Sequence, residues 1–411
     1  MTTQDFAKQL ADTHAKITDE GIAKFRERIG VVVPREKPYN EYAAIDSMRH
    51  FVESYGGDNP LYTNPEYAKG TRWRNMIASP EFLTTTGVSE VKEIRPEIRK
   101  RGEHALAGVH EFFSGDEWEW FAPVYAGDSF IRRYYLYDVV EKERSQFSGG
   151  RSVITKYRSD YINQRGELVA TDRFYFIKVE RDAAVKTGKN KHIERTRYTV
   201  EQIKEMDEAY KNQFRRGADV LYWEDVKVGD SLPALVKGPM TLTDMIVWCR
   251  GWGGGMQHTR NAWKDRSRHP KFYSLNEWGV PDIVERVHWD DAWAQKIGNP
   301  RAYDFGRMRS VYLSELVTNW MGDDAWLWKL SSQFRAFNFM GDATWFKGKI
   351  TGKSVTPEGN HIVELELWGE NERHEVTAPG NATVILCSRE KGPVQLPRPS
   401  AKTEGTVPLI Y

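Results

Sequence analysis

At 411 residues the chain is long enough for two or three domains with cores of their own. Its 59 basic and 58 acidic residues are mixed along the sequence and leave a net charge of +1, so there is no basic stripe for a phosphate backbone and nucleic acid is not an expected partner. No run reaches the ~20 apolar residues of a membrane span, and the N-terminus lacks the basic-then-apolar layout of a signal peptide, so a cytoplasmic protein that does not enter a membrane is expected.

Taken in chain order, residues 43–55 carry Ile45, Met48, Phe51, Val52 and Tyr55 at three-to-four spacing. That spacing predicts an amphipathic helix, stopped by Gly56-Gly57 and followed by the turn Asp58-Asn59-Pro60. Runs rich in Tyr, Ile, Val and Phe predict strands over 130–140, 152–162 and 168–179, with a turn at Gln164-Arg165-Gly166. From 181 to 217 Lys, Arg, Glu and Gln dominate around a weak helical stretch at 200–210, which reads as a linker. A short strand and a helical start are predicted around 222–248. Met308, Val311, Tyr312, Leu316, Val317 and Trp320 predict a largely buried helix over 307–321. Strands recur over 344–351, 361–368 and 382–387, the second with clean alternation through Val363, Leu365 and Leu367.

The chain also repeats itself. Ala122-Pro-Val-Tyr-Ala-Gly-Asp128 and Ala336-Phe-Asn-Phe-Met-Gly-Asp342 share the pattern Ala-x-x-aromatic-x-Gly-Asp, each entered by an aromatic-rich run. Upstream, in the same order, lie Tyr62-Thr-Asn-Pro-Glu-Tyr-Ala68 and His288-Trp-Asp-Asp-Ala-Trp-Ala294. Two aligned landmarks per half indicate a duplicated unit. The halves are bounded as 1–180 and 218–395, joined by a linker at 181–217 and followed by a tail at 396–411. Only the second half keeps a proton-transfer side chain, His288, at the position where the first has Tyr62.

A helix followed by an antiparallel sheet, occurring twice, gives an α+β double hotdog: two sheets, each wrapped around a central helix. The residues resemble the MaoC-like acyl dehydratases, the group that includes the R-specific enoyl-CoA hydratases. Gly56-Gly57-Asp58-Asn59-Pro60-Leu61-Tyr62 is similar to that family's Gly-Asp-x-Asn-Pro-Leu-His signature, and Ile77-Ala78-Ser79-Pro80 to its Ile-Ala-His-Gly. In the second half His288-Trp-Asp-Asp-Ala-Trp-Ala294, Leu316-Val-Thr-Asn-Trp-Met-Gly-Asp323 and Phe334-Arg-Ala-Phe-Asn-Phe-Met-Gly-Asp342 resemble the signature's end, the central helix and the next strand.

The resemblance implies a water held by the signature Asp and His and added across the double bond of an enoyl thioester. The first half departs from it, with Gly57 and Tyr62 in the two catalytic slots, so this half is expected to serve as a pocket wall, with Tyr62 contacting substrate. In the second half His288 is the expected proton carrier. The slot five residues before it is Ile283, which leaves Asp282, one residue further back, to orient the water, and Glu285 as a second carboxylate candidate. Tyr303-Asp304-Phe305-Gly306 stands in the place of Ala-His-Gly. There the N–H of Gly306 is expected to support the thioester oxygen, Tyr303 to contact substrate, and Asp304 to act as a helix cap or as a displaced base.

Gly251-Trp-Gly-Gly-Gly255 lacks the Lys-Ser/Thr of a phosphate loop and is expected to be a pocket loop, with Arg250, Arg260 and Lys264 able to meet coenzyme A phosphates. Cys249 and Cys387 stand in unrelated contexts and are expected as buried free thiols, so no disulfide framework or metal site is expected. The 15 Trp, 18 Phe and 19 Tyr suit either a bulky apolar ligand or core and subunit-interface packing. The expected protein is an enoyl-CoA hydratase or dehydratase acting by general acid/base catalysis, needing no cofactor beyond the coenzyme A of its substrate, and a homo-oligomer. A hotdog thioesterase or a non-catalytic acyl-CoA-binding subunit is the alternative.

Overall fold

The computed structural model describes residues 16–35, 37–142, 150–180, 193–399 and 406–411. In the first half four strands follow one another: β1 (His110–Trp120), β2 (Phe130–Lys142), β3 (Ser152–Asn163) and β4 (Leu168–Val179). The second half adds β5 (Leu235–Lys237), a small hairpin of β6 (Tyr273–Leu275) and β7 (Pro281–Ile283), then β8 (Trp326–Gln333), β9 (Thr344–Val355), β10 (His361–Asn371) and β11 (Val376–Ile385). Apart from that hairpin, the strands form one antiparallel sheet in the order β2-β3-β4-β1-β8-β11-β10-β9-β5. Leaving out the short edge strand β5, the order is a palindrome about the β1–β8 seam, where Trp118 lies opposite Leu330. The expected two sheets therefore meet edge to edge, and each removes an exposed edge from the other.

The repeated phrase folds the same way twice. Asp128 accepts a hydrogen bond from the N–H of Tyr125, and Asp342 accepts one from Phe339. The intervening Gly127 and Gly341 sit at φ of 93° and 95°, in the left-handed region that favours glycine. Arg165 and Arg373, on the matching hairpins that follow β3 and β10, pair with Asp128 and Asp342 respectively. One motif thus locks the start of the sheet to its second hairpin in both halves.

The helices divide less evenly. The predicted helix at 43–55 forms as Ile45–Ser54, and its counterpart is Leu242–Trp252; Phe51 and Trp248 pack between them with ring centroids 6.3 Å apart. The predicted helix at 307–321 forms as Gly306–Met321 and is buried on nearly every side. Its counterpart in the first half is the 3-10 turn Pro80–Thr85, so among the described residues a long central helix is seen in the second half alone. The missing helix is replaced by a stripe from the remaining one: Arg307, Ser310 and Ser314, spaced along one face, reach Asp116, Asp172 and Glu81 of the first half.

The linker region includes the helix Val200–Lys211, while residues 181–192 lie outside those described. In the tail, Ile410 bridges to Val31. Both cysteines are buried free thiols.

Candidate active site

Where the second half's helix start faces the first half's sheet, a cavity of about 1340 Å³ opens. His288, Tyr303, Asp304, Phe305 and Gly306 line it from the second half, and Phe113, Phe174 and Phe176 from the first.

His288 ends a 3-10 turn, Val284–His288. Its Nδ1 lies 2.8 Å from the carbonyl oxygen of Tyr303, and its ring stacks on Phe305 at 3.7 Å between centroids. A carbonyl can only accept, so Nδ1 carries the proton and Nε2 keeps its lone pair. Removal from water pushes the imidazole pKa down to about 4, against the smaller opposing effect of its backbone hydrogen bonds. The ring is therefore neutral at physiological pH, oriented, and able to take a proton.

Of the two carboxylates considered for its partner, only Glu285 lines the cavity. Glu285 and His288 are three apart in a 3-10 turn, where such positions eclipse, and both line the cavity. Burial raises the Glu285 carboxyl, and its Oε2 is buried with no hydrogen-bond partner. Asp282 is placed elsewhere. On β7 its side chain accepts from the N–H of Ile283 at 2.8 Å and faces Asn276 at 3.5 Å, and it does not line the cavity. The expected role for Asp282 is thus corrected: residues 254–283 form an excursion with its own helix, Thr259–Arg268, and hairpin, which carries Asp282 out of register with the signature.

Asp304 is neither a free base nor a side-chain cap. Its oxygens meet Arg309 at 2.8 and 2.9 Å, while burial raises its pKa to about 6 against the pull of Arg309. Arg309 also donates to the carbonyls of Ala336 and Thr377, so this pair anchors the helix start to the sheet. Asp304's backbone N–H donates to the Asn338 carbonyl, as that of Ala78 does to Val124 in the first half. Gly306 then begins the helix, and its N–H is one of the first-turn donors with no acceptor in the helix. A β-carbon there would stand 2.9 Å from Phe334 and 3.0 Å from Phe113, so glycine keeps this corner open. Tyr303 lines the cavity and packs on His288, ring centroids 4.9 Å apart.

The remaining expectations fare differently: Trp252 and Gly253 of the glycine-rich segment do line the cavity. Arg250 is exposed and away from the cavity lining, as are Arg260 and Lys264. Gly251 is a helix-crossing residue whose added β-carbon would lie 2.1 Å from that of Ser54, and Gly253, at φ of 83°, ends the helix. Tyr62 does not reach the large cavity. It borders a space of about 40 Å³ beside Trp73, Trp120 and Trp326.

Residues 28–172 match the model of the FAS1-like, dehydratase domain region. A solved MaoC-like dehydratase superposes on 88% of this chain and 99% of its own, with a TM-score of 0.60 at 16% identity. The fold is the MaoC-like double hotdog. A solved MaoC domain protein dehydratase from Chloroflexus aurantiacus J-10-fl covers 88% of this chain and 96% of its own at a TM-score of 0.51 and 12% identity. The curated Thermomonospora curvata protein named "Probable enoyl-CoA hydratase alpha subunit" is 26% identical over 142 residues, 33% of this chain. The match spans 44% of that relative's length.

Within this MaoC-like double hotdog the small space beside Tyr62 is the first half's copy of the site. Ile77 bridges to Tyr125 as Tyr303 bridges to Phe339, which sets Ser79-Pro80 opposite Phe305-Gly306. Tryptophans have filled the copy that carries tyrosine, and the copy that carries histidine stays open.

Proposed function

We propose that the chain is an enoyl-CoA hydratase or dehydratase whose single working site is built on His288 and Glu285. The carrying observation is the neutral imidazole of His288, held through Nδ1 by the Tyr303 carbonyl and lining a cavity that the buried carboxyl of Glu285 also lines. The similarity to named hydratases and dehydratases supports the same reaction class.

In the hydration direction Glu285 accepts one O–H of a water molecule and Nε2 of His288 removes the proton of the other. The water oxygen bonds to Cβ of the enoyl thioester as the Cα–Cβ π pair moves toward the thioester oxygen. The N–H of Gly306 stabilises that oxygen while it carries charge. The proton on Nε2 then passes to Cα, the enolate pair returns, and His288 is neutral again. One water is consumed, and the step calls for no cofactor beyond the coenzyme A of the substrate. The volume of the cavity, its phenylalanine lining and the short turn standing where a long helix would fill the first half suit a bulky acyl group.

The test follows the conjugated double bond's absorbance with trans-2-enoyl-CoA thioesters carrying short, long, aromatic and polycyclic acyl groups. Loss of absorbance with at least one of them, slowed about 10²–10⁴-fold in His288→Ala, is expected. Undiminished turnover in that variant sinks the assignment.

A further inference from the structure

The acid/base step leaves four cationic residues of the cavity without a role: the exposed Lys142 and Arg335, and two arginines set deeper. Arg35 and Arg132 both line it, far across the sheet from His288, and no ion pair engages either among the described residues. Arg35 donates to the carbonyl of Thr86 at 2.8 Å, and Arg132 to the hydroxyl of Ser159 at 3.0 Å. The groups acting on Arg35 are Arg132, a like charge, and Tyr161; burial and that like charge together pull its pKa down to about 10. The hydroxyl of Tyr161 is fully buried with no hydrogen-bond partner. Asp172 also feels Arg132, but its Oδ2 is bound to Arg307. Arg132 shares the field of Asp172 with Arg307, but neither partly buried guanidinium has a carboxylate within ion-pair distance among the described residues, so an anion entering the cavity would complete the pair.

Position says which anion. An aromatic series links Gly306 to Arg132: Phe334 packs on Phe113 at 5.5 Å and Phe113 on Phe174 at 6.1 Å, these three lining the cavity, while Tyr134 backs Phe174 at 5.8 Å and lies under Arg132 at 5.1 Å. Arg132 is on β2 and Phe113 on β1, with β4 and β3 between them, so the span is roughly 14 Å at ordinary strand spacing. Such a series suits an apolar acyl body rather than the amides of a pantetheine arm.

Resting on the hydratase reading, we propose that Arg35 and Arg132 bind a carboxylate at the far end of the acyl group, so that the substrate is the coenzyme A thioester of an acid with a second, distal carboxyl. Charge-assisted pairing predicts a preference of about 10- to 100-fold in kcat/KM for a carboxyl-ended over a methyl-ended enoyl-CoA of equal length. Arg132→Gln and Arg35→Gln should each erase most of that ratio.

The wild-type comparison needs no variant, so a misfolded variant leaves the test intact, and equal kcat/KM for the two ends overturns the proposal. An equal fall with both substrates that disappears with N-acetylcysteamine thioesters assigns the arginines to coenzyme A phosphates, and overturns it too. Calorimetry with free α,ω-dicarboxylates against monocarboxylates of equal length separates the two readings. Tighter dicarboxylate binding without hydration sustains the anion site and removes the hydratase, whereas hydration without that preference does the reverse.

Discussion

Against an ordinary imidazole pKa of about 6.5, burial in the pocket pushes that of His288 down to about 4, below the neutral range. On the proposed mechanism the acid limb of kcat/KM belongs to Glu285, whose carboxyl is raised by burial and which would work ionised. Activity should fall as pH drops through that raised value. Glu285→Gln should flatten the limb while lowering kcat, and a pH profile of the two proteins decides it; an unchanged limb in the variant assigns it to another group. Glu81 carries a different consequence. Fully buried, with Ser314 donating to Oε2 and nothing on Oε1, its carboxyl is raised to about 8. The folded state thus holds a proton that the unfolded chain releases near 4.5, so stability from this group is lost as pH rises from there to about 8. Glu81→Gln should raise Tm more at pH 8 than at pH 4, and an equal effect at both would contradict the buried-acid account. At this scale the sequence shows His288 through the offset between two matched phrases. It misplaces Asp282 because spacing to a histidine does not reveal that Asp282 itself lies on a hairpin strand. Arg35 and Arg132 carry no local signal, since only the sheet brings them together.

Among the elements, strands whose composition agrees with their burial are legible: β2, β3 and β4 are rich in Tyr, Phe, Val and Ile, and their predicted cores lie within the observed ranges. β1 and β8 escape notice because Glu111, Asp116, Glu117, Glu119 and Lys329 break the apolar pattern, although these strands make the seam. The crossing of the helices Ile45–Ser54 and Leu242–Trp252 depends on Gly251, where an added β-carbon would also meet the His50 carbonyl at 2.9 Å. Gly251→Ala should destabilise the fold by about 1–3 kcal/mol through that overpacking, measured by denaturant unfolding. No loss of stability would mean that the helices separate freely.

At the scale of the molecule, the duplication is visible in sequence because the Gly-Asp turn and its paired arginine have the same task in both halves. The unequal fate of the two sites is not, because closure of the first depends on Trp73, Trp120 and Trp326 converging from distant segments. Supplying the missing histidine should therefore not restore that copy: Tyr62→His in a His288→Ala background should show no enoyl-CoA turnover, since about 40 Å³ admits little more than a water molecule. Recovered activity would show that the tryptophans yield. The most direct test of the whole account is a reaction run in ¹⁸O-water with mass analysis of the product. The account predicts one ¹⁸O in the β-hydroxyl of an intact 3-hydroxyacyl-CoA, and almost none with His288→Ala. Label in a free carboxylate, with release of coenzyme A, would contradict it and make the protein a thioesterase.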